Sequence, residues 1–344
     1  MRLSIQLVTW NGTKYITHLF ASLKSQINQD WQLMILDNGS IDDTVEIIKK
    51  ELNNFGVQHQ LIVNAVNTGF AGGHNQLWRE SDAEYVLLLN QDLYLAPECI
   101  GKLIRALDDF GAAAAVAPRL MRWQFPDQLT NTIDTIGLMV SRQRRVVEYL
   151  SAQLWDDQTR HFLISSFPHF PYVEVFGVSG AMMMLRRSLV EDAALNNGEI
   201  FDVTYGSYKE DVDLAFRLRA RGYRSLVALD AVAYHDRTVG SPTAPTDRAA
   251  SQNKISQPPT ARRQSYRNHL LTLYKNEYGQ NFLLDWPWIL WYEGKKFIFF
   301  LIFDRQILKG WSEIWQSRQS LQDKRNKIRD KRRVGWREMR KWWS

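Results

Sequence analysis

The first third of the chain alternates short apolar runs with stretches of helical periodicity. Leu3–Thr9, Trp31–Leu36, Gln60–Val63 and Tyr85–Leu89 are short aliphatic runs with the length and composition of strands. Between them, Tyr15–Gln26 and Asp43–Asn54 carry apolar residues at helical spacing, the second announced by Ser40 and Asp43 at capping-box separation. Pro97–Phe110 predicts another helix and Ala112–Ala117 a buried strand. Strands that alternate with helices predict an α/β fold, a doubly wound sheet with helices on both faces. Ligands of such sheets bind beyond the carboxyl ends of the strands, so polar residues at those ends are the first candidates for chemistry.

The pattern then loosens. Arg122–Pro171 shows neither period clearly and predicts an excursion over the active face. Val173–Leu185 reads as a strand pair or a strand and turn, Glu210–Arg221 as a helix and Tyr223–Tyr234 as a last strand. Asp236–Pro259 is rich in Pro, Ser, Thr, Asn and Gln, the composition of a loop. Arg262–Tyr278, Trp288–Phe303 and the chain from Asp304 onward read as helices laden with tryptophan and basic residues. The expected division is a domain over 1–245, a polar loop over 246–261 and a helical extension over 262–344.

Composition narrows the class. With 344 residues, 45% hydrophobic and 23% charged, the chain is long enough for a large core and is neither disordered nor disulfide-stapled. Cys99 is the only cysteine, which excludes an internal disulfide and a thiolate zinc site and suits a reducing compartment. The N-terminus meets Asn11-Gly12 before any signal-peptide core develops, and no apolar run reaches membrane-spanning length. The net charge of +6 is unevenly placed: residues 318–344 hold eleven Lys and Arg against three acids, so the body before them is mildly acidic.

Candidate chemistry gathers at the strand ends. Val8-Thr9-Trp10-Asn11-Gly12 and Asp37-Asn38-Gly39-Ser40 end the first two strands, where a carboxylate and backbone groups suit a nucleobase edge and ribose, or equally a turn and helix cap. The glycines of Asn67–Asn75 let backbone approach a ligand, and the helix it opens favours an anionic phosphate at its N-terminus, although no P-loop pattern is present. Tyr85–Asp92 is a buried strand that ends in Asn90 and Asp92, at i and i+2 on one side of an extended chain, where Asp92 offers a hard oxygen to Mg²⁺ or Mn²⁺. Glu210, Asp211 and Asp213 open a helix; Asp213 reads as the ordinary complement to the helix dipole, and the remaining pair supplies a carboxylate able to take a proton from a hydroxyl. His235, past the last strand, is a structural histidine or an imidazole ligand for the same cation.

Together these ordered motifs, with Gly180-Ala181-Met182, resemble the inverting nucleotide-sugar glycosyltransferases of family 2 from Leu3 to about Gly240, the rhamnosyltransferase-like branch above all. The resemblance implies a GT-A fold with a mixed sheet, a nucleotide-sugar half over about 1–120 and an acceptor half over about 121–245. It implies that Thr9, Asn11 and Asp37 hold the nucleoside, that Asn67, Gly69 and Asn75 lie near base and diphosphate, and that Asn90 and Asp92 occupy the metal motif. His235 is then a further metal ligand, Asp211 the base, Glu210 a residue that orients the acceptor, and Gly180 and Ala181 the floor beneath the acceptor sugar. One position departs from the pattern: the first metal-motif carboxylate is Asn90, a neutral amide that lowers cation affinity.

The implied reaction moves a sugar, L-rhamnose from dTDP-rhamnose as the first choice, from a nucleotide diphosphate to a hydroxyl of a lipid-linked or polysaccharide acceptor in bacterial surface glycan synthesis. A UDP-hexose or UDP-galactofuranose donor, or a binder that has lost catalysis, are the alternatives. The eight tryptophans from Trp286 to Trp343, interleaved with Lys and Arg, read as amphipathic helices on the inner face of the cytoplasmic membrane, or as helices packed on the body. No nucleic acid partner is expected, and a homo-oligomer is left open.

Overall fold

The computed structural model describes residues 1–195, 198–237 and 258–343. Its first half follows the alternation closely: β1 (Leu3–Thr9), α1 (Ile16–Lys24), β2 (Gln32–Asp37), α2 (Thr44–Leu52), β3 (His59–Val63), α3 (Gly69–Arg79), β4 (Tyr85–Leu89), β5 (Leu93–Leu95), α4 (Cys99–Asp109) and β6 (Ala113–Gln124). The excursion carries β7 (Gln128–Thr135), β8 (Leu138–Val140), β9 (Val146–Glu148) and α5 (Asp157–Ser166). These strands are short or change burial midway, which is why neither period shows in the sequence. Then come β10 (Tyr172–Val175), β11 (Met182–Arg186), α6 (Arg187–Asp192), α7 (Glu210–Ala220) and β12 (Arg224–His235). Most of the polar loop expected over 246–261 lies outside the described residues. The C-terminal helices are α8 (Pro259–Asn276), α9 (Gly279–Phe303), α10 (Gly310–Gln316), α11 (Arg318–Asp330) and α12 (Trp336–Arg340).

The main sheet runs β10-β12-β6-β11-β4-β1-β2-β3, with β5 on β12 and β7 on β6. β3, β2, β1 and β4 are parallel, and β11 enters antiparallel between β4 and β6, so the sheet is mixed. Both faces are buried, as the side-chain alternation dictates. Leu3, Ile5 and Leu7 with Tyr85, Leu87 and Leu89 face α1 and α4, whereas Val86 and Leu88 face α3, α6 and α7. The β1–β2 register pairs Thr9 with Asp37, and the β4–β11 register pairs Leu89 with Met182. Both registers bring sequence-distant motifs to one edge.

Three local expectations change. The capping box at Ser40 is not made, because the Ser40 hydroxyl donates to Asp37 at 2.5 Å instead. α9 starts well before Trp288 and contains Pro287; tertiary anchoring of the buried Asp285 outweighs the helix-breaking residue. Trp336, Trp342 and Trp343 do not face outward: they pack with Phe176, Val212 and Phe216 against the outer face of α7. Part of the tail's basic charge is also turned inward. Lys324 donates to Asp202 at 2.6 Å, Lys327 and Lys331 to the carbonyls of Leu195 and Asp192, and Arg340 to Asp285 at 2.6 and 2.8 Å. Among the described residues no helix is long and apolar enough to cross a membrane.

Candidate active site

At the ends of β1 and β2 the buried Asp37 carboxylate is a hub. It accepts from the Thr9 hydroxyl at 3.1 Å and from the Ser40 amide at 2.9 Å, as well as from the Ser40 hydroxyl. Asn11, in the left-handed region at φ 47°, donates its amide to Ser40 Oγ and accepts from the Ile41 amide, lacing the two strand ends together. Beside it Trp10 is 53% exposed, and its backbone N–H and C=O are both clamped by the Gln91 side chain at 3.0 and 3.1 Å. An exposed indole on an immobilised backbone at a strand end is a stacking platform, one that the sequence reading did not single out.

The glycine-rich loop is built differently from the expectation. The amides of Phe70 and Ala71, at the start of α3, donate to Ser207 Oγ and to the Gly206 carbonyl, so these helix N-terminal donors are taken up by the protein's own chain. Gly69, at φ +76°, is required there, since a Cβ would stand 2.5 Å from the Gly206 carbonyl oxygen. Asn67 bridges the Gly69 amide and Asn38, while Asn75 accepts from the Ile200 and Phe201 amides and donates to the Phe201 carbonyl. Asn67, Gly69 and Asn75 are thus joined to neighbouring loops, and the buried Asn75 amide is spent as a clamp.

β4 ends at Leu89, and Gln91-Asp92 form a turn, so extended spacing does not aim Asp92. Strand pairing does: β5 meets β12 with Leu93 opposite His235, which brings Asp92 Oδ1 to 3.4 Å from His235 Nε2. The other ring nitrogen, Nδ1, lies 2.9 Å from Asp134 Oδ2 on β7, and Arg237 holds Asp134 and Glu148 in turn. A histidine fixed from behind by a carboxylate, with its other nitrogen facing a second carboxylate, is the usual supporting arrangement for a metal ligand. One carboxylate oxygen and one imidazole nitrogen fit Mn²⁺ or Mg²⁺ with phosphate oxygens completing the shell. Among the described residues no three metal-binding side chains converge. Burial by itself favours the neutral imidazole, but Asp92 and Asp134 outweigh it and push His235 up to about 9, so a cation binding at Nε2 must displace the proton held there.

The fourth motif closes on the third. The Asn90 amide donates to the Ala181 carbonyl at 2.9 Å, and the Gly180 amide donates to Asp211 Oδ2, also at 2.9 Å. A Cβ on Gly180 would lie 3.3 Å from that of Asp211, so the small residue permits the approach. Asp211 Oδ1 accepts from its neighbour's amide, Val212 N–H, at 2.7 Å. Glu210 beside it is buried, and its Oε2 has no hydrogen-bond partner among the described residues. Burial, reinforced by the Asp211 charge, pushes its carboxyl up to about 8, so it stays protonated at neutral pH. Asp213 is no simple dipole complement: it sits buried between Arg217 at 3.0 Å and Lys275 at 2.9 Å.

The turn that delivers this pair is strained. Tyr208 and Lys209 are both in the left-handed region, at φ 73° and 72°. The buried Asn268 of α8 sets its amide nitrogen within 2.7–3.0 Å of the carbonyls of Tyr205, Ser207 and Tyr208. Neither Asn268 nor Asp134 has a sequence signal, because each acts across the fold rather than within a motif.

A family model described as Glycosyl transferase family 2 matches residues 4–193. The poly(ribitol-phosphate) β-N-acetylglucosaminyltransferase TarS of Staphylococcus aureus is 28% identical over 112 residues, 32% of this chain and 19% of its own length. The chain therefore matches about a fifth of that curated relative. The N-acetylglucosaminyl-diphospho-decaprenol L-rhamnosyltransferase of Mycobacterium tuberculosis is 22% identical over 280 residues, 73% of this chain and 81% of its own. Among solved structures, GalNAc-T7 with UDP, GalNAc and Mn²⁺ covers 80% of this chain and 48% of its own with a TM-score of 0.57 at 9% identity. The mannosyltransferase PcManGT of Pyrobaculum calidifontis, in complex with GDP-Man and Mn²⁺, covers 92% and 75% with a TM-score of 0.52 at 15% identity. At these identities the structural likeness speaks for the fold.

Proposed function

Since the chain belongs to glycosyl transferase family 2 and has a GT-A type fold, we propose that it transfers a sugar, with inversion, from a nucleotide diphosphate to a hydroxyl of a lipid-linked or polysaccharide acceptor. The observation that carries this reading is the hydrogen-bonded line from Asn90 through Ala181 and Gly180 to Asp211, which ties the end of the donor-side strand to the carboxylate at the start of α7.

In this reading both Asp211 oxygens are oriented by backbone amides and each keeps a lone pair for the acceptor. Asp211 takes the hydroxyl proton, the acceptor oxygen forms its bond to the anomeric carbon, and the bond to the diphosphate breaks with its electron pair leaving on the phosphate oxygen. Glu210, protonated and with an unpartnered oxygen, hydrogen-bonds the acceptor sugar without adding a second negative charge. Asp92 and His235 would hold a divalent cation, Mn²⁺ or Mg²⁺, whose contribution when bound is to neutralise the departing diphosphate. Two protein ligands and a neutral Asn90 leave much of the cation's shell to the donor, so cation and donor bind together. Thr9, Asn11 and Asp37 frame the nucleoside, and Trp10 stacks on its base.

The alignment along most of both chains with the mycobacterial rhamnosyltransferase supports L-rhamnose from dTDP-rhamnose and a lipid-linked acceptor. Thermal shifts with UDP, TDP, GDP and CDP, with and without Mn²⁺, test the donor reading. A nucleotide at ~100-fold excess over its Kd adds ~2.7 kcal/mol. The expected result is a Mn²⁺-dependent shift with TDP that is lost in Asp92→Ala; a shift with UDP alone would move the donor to a UDP-sugar, and none at all would sink the donor site. Asp211→Asn should retain that shift while transfer falls about 10²–10⁴-fold.

A further inference from the structure

α9 rests on the rest of the molecule along one narrow stripe, Asn281, Asp285, Ile289 and Phe300. Most of its remaining circumference is apolar and open: Leu283 is 72% exposed, Trp291 69%, Ile298 57% and Ile302 64%. α10 extends the same surface with Trp311 and Trp315, 48% and 69% exposed. Exposed apolar side chains scattered singly need no explanation, but here they follow one another along a 25-residue helix, about 37 Å long.

The helix cannot roll this surface inward. Asp285 is buried and receives Arg142 at 2.7 Å, Arg144 at 3.1 Å and Arg340 at 2.6 Å, and Glu293 is held by His269 at 2.7 Å. Rotating α9 would break both anchors and bury charge without partners. The charges along the ridge are sorted in the same way. The acids turn inward, with Glu293 on His269 and Lys296, Asp304 on Arg262, and Glu313 on Arg267. The bases Lys295, Arg305, Lys309 and Arg318 stay exposed at its rim.

We propose that this ridge lies in the interface of an anionic bilayer, with the tryptophans at headgroup depth and the rim bases against lipid phosphates. It narrows the lipid-facing surface expected of 262–344 to 282–315, since several of the bases beyond Arg318 are spent on the protein itself. Through α8 the docked ridge is tied to the catalytic turn: His269 grips α9, and its neighbour Asn268 holds the carbonyls before Glu210. On the glycosyltransferase reading, which this clause alone needs, docking brings the acceptor side toward a lipid-linked substrate.

The experiment is vesicle flotation of the full chain with phosphatidylcholine alone and with added phosphatidylglycerol, without donor or acceptor, so that it succeeds or fails independently of the transfer reaction. The wild type should float with the anionic vesicles. Trp291→Ser/Ile298→Ser/Ile302→Ser, all at exposed positions, should keep the melting temperature and partition about a hundredfold more weakly. Arg305→Glu/Lys309→Glu should lose the preference for phosphatidylglycerol. No flotation of the wild type, or equal flotation of the triple variant, would overturn the proposal. So would a dimer in light scattering that the triple variant dissolves, since a second copy would then cover the ridge.

Discussion

Glu210 and Asp211 are chemically near-identical neighbours whose surroundings separate them. Glu210 lies buried with an unpartnered oxygen, whereas Asp211 has two backbone donors. The consequence for stability follows from the proton count. Glu210 titrates at about 8 in the folded chain against an ordinary 4.5, so between those values the native state holds a proton that the unfolded chain has released. Its stabilisation is fully present below the ordinary value and is lost as pH rises through the folded value. Glu210→Gln, neutral throughout, should match the wild type in acid and exceed it above that window by on the order of a few kcal/mol, read from urea melts across pH. Parallel curves for the two proteins would remove the burial argument. The same variant should still bind donor nucleotide, because the carboxyl is argued to face the acceptor.

At the scale of elements, the working pieces are joined by contacts that no single motif contains. The α3 start is capped by the 206–207 turn, and that turn is held by Asn268 of α8. Asn268→Ala leaves the carbonyls of Tyr205, Ser207 and Tyr208 without this donor and should cost ~1–3 kcal/mol. Because the strained Tyr208–Lys209 backbone delivers Glu210 and Asp211, the variant should also lose about tenfold or more in kcat with the donor KM little changed. A donor KM that rises in step would show that the tether serves the whole site rather than the catalytic turn. Asp134 plays the matching part for His235, and its replacement by Asn should weaken cation binding by about 10–100-fold in titrations with Mn²⁺ and nucleotide.

Taken whole, the C-terminal helices are fastened to the sheet domain by buried charge. Lys275 of α8 bridges Asp202 and Asp213 at 2.6 and 2.9 Å, and Lys324 of α11 adds a second cation to Asp202. Burial works against the Asp202 charge, but the two lysines prevail and hold it well below the usual carboxylate range. Lys324→Met removes one cation from this cluster and should cost ~3–5 kcal/mol. We expect it to lower a single cooperative melting transition in calorimetry. A separate early transition would instead make 262–344 a unit that unfolds by itself, as the division by composition supposes.

The alternation of aliphatic runs and helical periods was enough to set the α/β class, because burial on both sheet faces writes itself locally as short apolar strands. The ordered motifs at 8–12, 37–40, 90–92 and 210–211 were likewise legible, since each sits at the end of a strand or the start of a helix, where chemistry must be carried by adjacent residues. Their assembly was not. Asp92 meets His235 through β5–β12 register, Asn90 meets Ala181 beside the β4–β11 pairing, the Gly180 amide reaches Asp211 at the start of α7, and the start of α3 is filled by a turn more than a hundred residues away. The tail shows the limit most plainly: tryptophans flanked by the same bases face inward at 336–343 and outward at 286–315. Composition states how much apolar and charged surface a helix carries, while the direction in which it points depends on partners such as Asp285 and Asp202 that only the folded chain brings near.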